Sequence, residues 1–433
     1  MKRLKVKEKL EKLKLKISKN SLKDILRTKN LSKKREETIA AAQESKGDVT
    51  FEINKKAKHL HPDGLTLVVR NIEERSTGDA KSYLLVARGG GPLPAFRAGQ
   101  YISLRFNIGG SNITRPYSIS SSPADAGNGF YVITVKKTPG GFAGNAIFDT
   151  LKIGDEIVSS APEGNFYYEK LRDSENVLAI AGGSGITPFV SMARAIRDGV
   201  EDFSLTILYG AKDRNNLIYR RQLDEIAENT DKVRVIYVLE KEEVEGYEHG
   251  FITAEIIKRY MPGENCGVFI CGPDAMKKFI RAQLESLNVP RRLIRAEGSS
   301  VAGDVTKRDD YPVRGDMPEY FDITVKQGMS ETVIKGRRDE SILISIERAG
   351  IEAPSHCRSG ECGWCRAKIV SGDIYVPAEY DVSRRKMDKE TGYAHICCSF
   401  PLSPITVELV PMSVITGPDM TVESKGDGES TEA

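Results

Sequence analysis

No stretch of the 433 residues approaches the run of about 18 apolar residues that a membrane-spanning helix needs. The basic opening Met1-Lys2-Arg3 is not followed by an apolar segment, so a secretory signal is not expected. Tryptophan is almost missing, with Trp364 alone. There is no internal repeat, and the 39 Gly and 19 Pro are scattered as turns, which excludes collagen-like and low-complexity chains. A serine triad or an acid–base dyad is not recognisable either. The seven cysteines are an odd number without a signal segment, which excludes a secreted disulfide scaffold. They argue instead for a reducing, cytoplasmic setting in which clustered thiols bind metal or do redox chemistry.

At roughly 150 residues per domain, the length bounds about three domains. Charge divides the chain unevenly. Residues 1–60 carry 19 Lys/Arg against 8 Asp/Glu, and the remainder carries 45 against 53. An acidic body with a basic arm is not the profile of a nucleic-acid binder. Within the arm, Val6, Leu10, Leu13 and Ile17 recur on one helical face among lysines. That pattern suits a solvated extension, or an amphipathic helix that docks an acidic partner or an anionic membrane surface.

Beyond this basic helical extension (1–60), short alternating strands such as Leu65–Val69, Tyr101–Phe106 and Tyr131–Val135 read as a small antiparallel β-barrel over 61–172. Over 173–297, fully apolar strands such as Val177–Ala181 and Ser204–Tyr209 alternate with helical stretches, as in an α/β domain with a parallel sheet. A polar linker (298–318), a third unit (319–412) and an acidic tail expected to be disordered (413–433) complete the chain.

The most specific signal is Cys357-Arg-Ser-Gly-Glu-Cys362-Gly-Trp-Cys365, followed by Cys397 and Cys398. C-x4-C-x2-C with a distant fourth cysteine is the plant-type 2Fe–2S spacing. Four thiolates must surround two irons, and a Gly-rich loop lets backbone N–H groups approach the sulfurs. A zinc site would usually want two CxxC or CxxH pairs, and only Cys362–Cys365 supplies one. Trp364, inside this loop, suits either packing or a partner-docking surface.

Three further segments carry a family resemblance. Arg115-Pro116-Tyr117-Ser118 resembles the Arg-x-Tyr-Ser signature of the ferredoxin–NADP reductase superfamily. Ala181-Gly182-Gly183-Ser184-Gly185-Ile186-Thr187-Pro188 and Cys271-Gly272-Pro273-Asp274-Ala275-Met276 resemble its Gly-Gly-x-Gly-Ile-Thr-Pro and Cys-Gly-Pro-x-x-Met segments. The resemblance implies an antiparallel β-barrel flavin domain, an α/β parallel-sheet nicotinamide domain and a β-grasp ferredoxin domain. It assigns Arg115 to a flavin phosphate, Tyr117 to stacking on the isoalloxazine and Ser118 to its N5, with Pro116 between them and Val135 on a nearby strand. Gly140, Gly141 and Gly144 stand where the family holds the pyrophosphate, although Gly144 replaces the usual hydroxyl residue. FAD is the expected flavin, with FMN as the alternative.

Gly182, Gly183, Gly185, Thr187, Pro188, Cys271, Gly272 and Pro273 are assigned to nicotinamide, where glycines admit phosphate and a helix N-terminus attracts it. Cys271 would lie beside the nicotinamide ring, and Cys266 is expected to be structural. A proline four residues after the fourth cluster ligand is usual in plant-type ferredoxins, and Pro401 thereby selects Cys397 over Cys398. NADH or NADPH is chosen after Gly210, where Asp213 competes with Lys212, Arg214 and Arg220; the reading leans to NADH. The implied activity passes a hydride from NAD(P)H to FAD and then single electrons to the 2Fe–2S cluster and a partner redox protein such as an oxygenase. Reduction of a small diffusible acceptor and a redox-sensing subunit are the alternatives.

Overall fold

The computed structural model describes residues 23, 28–38, 62, 64–76, 78–298, 304–312, 316–381 and 385–410. The Val6–Ile17 stripe, the tail beyond 412 and the middle of the 298–318 segment lie outside the described residues. The chain divides into two units, Met1–Lys56 and Ala57–Ala433. In the first, residues 28–38 form a helix exposed along its whole length. Among the described residues, no helix is long and apolar enough to cross a membrane.

The second unit begins with β1 (Leu65–Glu74), β2 (Ala80–Ala87), β3 (Tyr101–Ile108), β4 (Ser111–Ser118), β5 (Phe130–Lys136) and β6 (Glu156–Ser159). Every ladder is antiparallel, in the order β4-β3-β6-β1-β2-β5. Alternate residues point inward, so Leu67, Tyr83, Leu85, Ile102, Leu104, Tyr131 and Ile133 are wholly buried in one core. Each of the leucines and isoleucines contributes about 1.5–3 kcal/mol of burial free energy. The sheet curls into a half-barrel instead of a continuous ring, because its terminal strands meet only through a bridge from Ile119, just past β4, to Ile133 of β5. That leaves β4 at an edge, where Pro116 does not interrupt a central ladder.

Next comes a parallel sheet of β7 (Asn176–Gly182), β8 (Ser204–Ala211), β9 (Val233–Leu239), β10 (Glu248–His249), β11 (Gly267–Cys271) and β12 (Ile294–Ala296), ordered β10-β9-β8-β7-β11-β12. The Val177–Ala181 run is buried on both faces. Val177, Ala179 and Ala181 pack with the helices Thr187–Arg197 and Arg220–Asn229. Leu178 and Ile180 pack with Ala254–Tyr260 and Asp274–Ser286 on the other side. The strand order reverses between β7 and β11, so the crevice at their carboxyl ends is the topological switch point where open α/β sheets take ligands.

Half-barrel and α/β sheet are joined by Tyr219, whose hydroxyl lies 2.7 Å from Ser82 Oγ, 2.7 Å from Thr134 Oγ1 and 2.9 Å from Ser120 Oγ. The guanidinium groups of Arg75 and Arg194 stand 4.6 and 5.3 Å from its ring. Ser191 Oγ donates to the Ser121 carbonyl at 2.7 Å across the same seam.

The second unit ends in a small mixed sheet of β13 (Tyr320–Gln327), β14 (Ser330–Arg337), β15 (Arg366–Ser371), β17 (Tyr393–His395) and β19 (Ile405–Leu409), ordered β14-β13-β19-β15-β17. A separate pair, β16 (Ile374–Tyr375) and β18 (Phe400–Pro401), lies beside it. The helix α1 (Ile342–Arg348) covers the sheet, burying Ile342, Leu343 and Ile346 against Ile323, Val407, Cys365 and Cys397. Its first turn is capped by Ser341, whose Oγ accepts from the Ile344 N–H.

Candidate functional site

β4 carries the Arg115–Ser118 segment to the edge of the half-barrel. Arg115 Nη1 donates to the Thr114 carbonyl at 2.8 Å, and Tyr117 packs on the barrel core. Burial, opposed by the neighbouring Arg115, pushes the Tyr117 phenol above its ordinary range, so it stays neutral. Ser118 Oγ donates to Glu297 Oε1 at 3.2 Å, and Cys271 Sγ donates to Glu297 Oε2 at 2.7 Å. One carboxyl thus joins the flavin-motif strand to the end of β11.

Glu297 was not among the residues singled out from the sequence. It follows β12, whose pairing of Ala296 with Ile270 brings it to Cys271, and its N–H donates to the Ile270 carbonyl at 3.0 Å. Its own carbonyl accepts from Lys277 Nζ at 3.0 Å. Burial of the carboxyl raises its pKa despite the hydrogen bonds from Cys271 and Ser118. The Cys271 thiol is raised too, by burial and then by Glu297, so it remains protonated. Only the acidic residue's place at a sheet end could have flagged it, because no local motif surrounds it.

Gly140 takes a φ of 71°, and the loop after it is held by Asn145, which accepts from the Thr138 N–H at 3.0 Å and donates to its carbonyl at 2.9 Å. The helix Ala143–Thr150 that follows has no capping side chain at its start, so its first N–H groups suit an anion. A methyl at Gly144 would meet only the Lys136 carbonyl, at 3.8 Å. Val135 points into the barrel core and is 1 % exposed.

At the switch point, a 3-10 turn over Gly183–Ile186 intervenes before the helix that starts at Thr187. Gly183 adopts a φ of 56°, and a Cβ there would face open space. Gly182 and Gly185 have the opposite surroundings. A Cβ on Gly182 would strike the Met276 sulfur, and one on Gly185 would strike the Cys271 carbonyl. The β7 and β11 loops are therefore packed backbone to backbone, with the Met276 thioether filling the gap beside Gly182 and Gly272. Thr187 Oγ1 donates to the Ser184 carbonyl at 3.0 Å, which pins the turn, and Pro188 occupies the first turn of the helix. Cys266 is 1 % exposed, at the start of β11.

Past Gly210, Asp213, Arg214 and Arg220 each have a partner. Asp213 accepts from the Asn215 and Asn216 N–H groups at 3.0 and 3.1 Å. Arg214 pairs with Glu242 at 3.3 Å, and Arg220 with Asp224 at 3.7 Å.

Four of the C-terminal cysteines gather beside the small mixed sheet as two pairs. Cys365 and Cys397 have their sulfurs 3.2 Å apart. Cys357 and Cys362 are in side-chain contact, and Cys357 Sγ accepts the N–H groups of Ser359 at 3.4 Å and Cys362 at 3.3 Å. Cys398 touches Cys397 and donates to the His395 carbonyl at 3.3 Å inside the core. Among the described residues, no three His, Cys, Asp or Glu side chains converge as a single ion would need. Two thiol pairs wrapped by backbone N–H donors instead fit a two-iron cluster, which takes two thiolates at each iron. Trp364 is half-buried and stacks on His356 at 4.0 Å, while His356 Nδ1 lies 2.6 Å from Glu163 Oε1 of the half-barrel. The loop also meets Gly298, where a Cβ would crowd Ser359 and Glu361.

Comparisons with known proteins find the same three kinds of domain. Residues 93–168 match the oxidoreductase FAD-binding domain, 179–282 the oxidoreductase NAD-binding domain and 325–402 the 2Fe-2S iron-sulfur cluster binding domain. The ferredoxin reductase component of 3-ketosteroid-9-alpha-monooxygenase from Mycobacterium tuberculosis is 30 % identical over 315 residues, 71 % of this chain and 83 % of that protein. The chain belongs to the FAD- and NAD-binding reductases with a C-terminal 2Fe–2S ferredoxin domain. Another relative is the glycine betaine monooxygenase reductase subunit of Chromohalobacter salexigens, at 26 % identity over 72 % of this chain and 87 % of that one. The fold of phthalate dioxygenase reductase covers 80 % of this chain and 97 % of its own, with a TM-score of 0.57 and 24 % identity. As a reductase of this family, the protein is an NAD(P)H-dependent oxidoreductase that uses FAD and a 2Fe–2S cluster.

Proposed function

We propose that the protein takes electrons from NADH and delivers them singly to a separate redox protein, an oxygenase component. The observation that carries this reading is the junction at Glu297–Gly298. Glu297 touches both the flavin-motif Ser118 and the nicotinamide-motif Cys271, and Gly298 abuts the cysteine loop. All three motifs therefore meet at one place. The oxygenase partner is supported by the named roles of the similar proteins, reductases of a glycine betaine monooxygenase and a 3-ketosteroid-9-alpha-monooxygenase. NADH is kept as the donor because Asp213 follows Gly210 where an acidic side chain suits a ribose hydroxyl.

In this reading Arg115 holds the flavin phosphate, Tyr117 stacks on the ring system and Ser118 lies at its reactive edge. Gly140, Gly141 and Gly144 take the pyrophosphate. Gly182 to Pro188 and Cys271 to Pro273 hold the nicotinamide end, and Cys357, Cys362, Cys365 and Cys397 hold the cluster. When bound, FAD and the 2Fe–2S centre together convert a two-electron donor into one-electron steps, with the protein supplying orientation and potential. Glu297 fixes the hydroxyl of Ser118 and the thiol of Cys271 relative to one another, and the neutral thiol adds no charge beside the nicotinamide. The domain divisions of this reading are 61–172, 173–297 and 319–412. A cysteine cluster that must stay reduced to hold iron supports a cytoplasmic location.

Anaerobic purification tests the reading. The expected product shows flavin bands, a 2Fe–2S spectrum and about two irons per chain; about four irons or zinc would refute the cluster. Cys365→Ser should abolish NADH-driven cytochrome c reduction while ferricyanide reduction, which can draw electrons at the flavin, stays near wild type. Equal loss of both rates with flavin still bound would rule out the serial route.

A further inference from the structure

Two guanidinium groups and one carboxylate meet where the ferredoxin domain lies on β4. Glu347, in the last turn of α1, is 3 % exposed. Its Oε1 accepts from Arg358 Nη1 at 2.6 Å, and its Oε2 lies 4.0 Å from Arg115 Nη1. Arg358 follows the ligand Cys357 directly and holds a left-handed φ of 57°. Both arginines also turn to the same backbone oxygen. The Thr114 carbonyl accepts from Arg115 at 2.8 Å and from Arg358 at 3.4 Å. Around this core, Arg105 reaches Glu352 at 3.9 Å.

The charge in this cluster does not balance. Two buried or half-buried cations share one buried anion, and an uncompensated interior charge is costly. A phosphate on Arg115 would neutralise the excess and let Glu347 serve Arg358. We infer that Glu347 is a positioning residue that couples flavin binding on β4 to docking of the cluster loop. The inference rests on the reading of Arg115 as the flavin-phosphate partner. Coupling of two binding events is reciprocal, so flavin should tighten the loop and the docked loop should tighten flavin.

The test uses the full-length FAD- and cluster-loaded protein and two variants. Glu347→Gln removes the anion. Combining Glu347→Arg with Arg358→Glu restores the pair inside the ferredoxin domain but sets an arginine against Arg115. Four readouts are taken: iron content, FAD release on dilution followed by flavin fluorescence, the ratio of cytochrome c to ferricyanide reduction, and amide exchange over residues 356–364. In the exchanged pair, iron should match wild type, while FAD affinity and the reduction ratio should each fall about tenfold. Glu347→Gln, which deepens the positive excess at Arg115, should lower the reduction ratio while FAD is held at least as tightly as in wild type. Stripping FAD should speed amide exchange of the loop in wild type and leave it unchanged in the exchanged pair. Wild-type FAD affinity and ratio in an iron-loaded exchanged pair would overturn the inference. So would loss of iron from both variants, because Glu347 would then only fold the loop; if the exchanged pair alone loses iron, the reduction ratio of Glu347→Gln decides, and a wild-type ratio there overturns the inference. A wild-type protein that binds no FAD would instead overturn the functional reading, whatever the variants do.

Discussion

At the scale of single residues, a hydroxyl and a thiol share one carboxyl. Glu297 accepts from Ser118 and Cys271, groups brought in by two different sheets. Its raised pKa has a consequence for stability with a definite sign. Below the ordinary carboxyl value of 4.5, folded and unfolded chains both keep the proton. Above it the unfolded chain releases a proton that the folded chain retains, so stability falls as the pH rises through the folded-state value. Glu297→Gln removes that titration. The variant should therefore gain thermal stability relative to wild type between pH 5 and 8, as melting curves across that range would reveal; parallel curves would contradict the burial of the carboxyl. Glu297 stayed hidden in the sequence because it has no motif neighbours. The Arg115–Ser118 and Cys357–Cys365 segments were legible because their chemistry is packed into a few consecutive residues.

At the scale of elements, strand order does most of the positioning. The reversal between β7 and β11 opens the crevice, and the close packing of Gly182, Gly185 and Gly272 around Met276 fixes the two loops that line it. The glycines are legible in the sequence; the 3-10 turn over Gly183–Ile186 that carries them into the helix is pinned by Thr187, whose hydroxyl bonds back to Ser184. Tyr219, at the start of a helix and in a left-handed conformation with φ 62°, joins the α/β sheet to the half-barrel through three buried hydroxyls. Tyr219→Phe should cost about 1–3 kcal/mol by leaving those partners short of a hydrogen bond. Urea unfolding would measure it, and a change below a few tenths would mean that the hydroxyls re-pair among themselves, as Ser82 and Thr134 already do at 3.0 Å.

At the scale of the whole molecule, the order of domains is also an order of electron carriers, and the basic extension stands apart from it. Residues 1–60 hold a large excess of Lys/Arg, and the rest of the chain is acidic. Deleting residues 2–58 should leave NADH-to-dye reduction within about twofold and weaken turnover with the protein acceptor, increasingly so at low salt, where long-range attraction is least screened. Equal losses in both assays would make the extension structural.

The sequence by itself determined the chemistry: three cofactor sites, their order and the seven thiols available to them. Those features depend on residue types at short spacing, which the chain carries wherever it folds. Tertiary structure decided which distant groups touch. It set Glu297 against Ser118, 179 positions away, put Glu347 between two arginines, and turned Cys397 rather than Cys398 toward Cys365. Such contacts follow from strand pairing and from the cost of burying charge, and neither is written in any local run of residues.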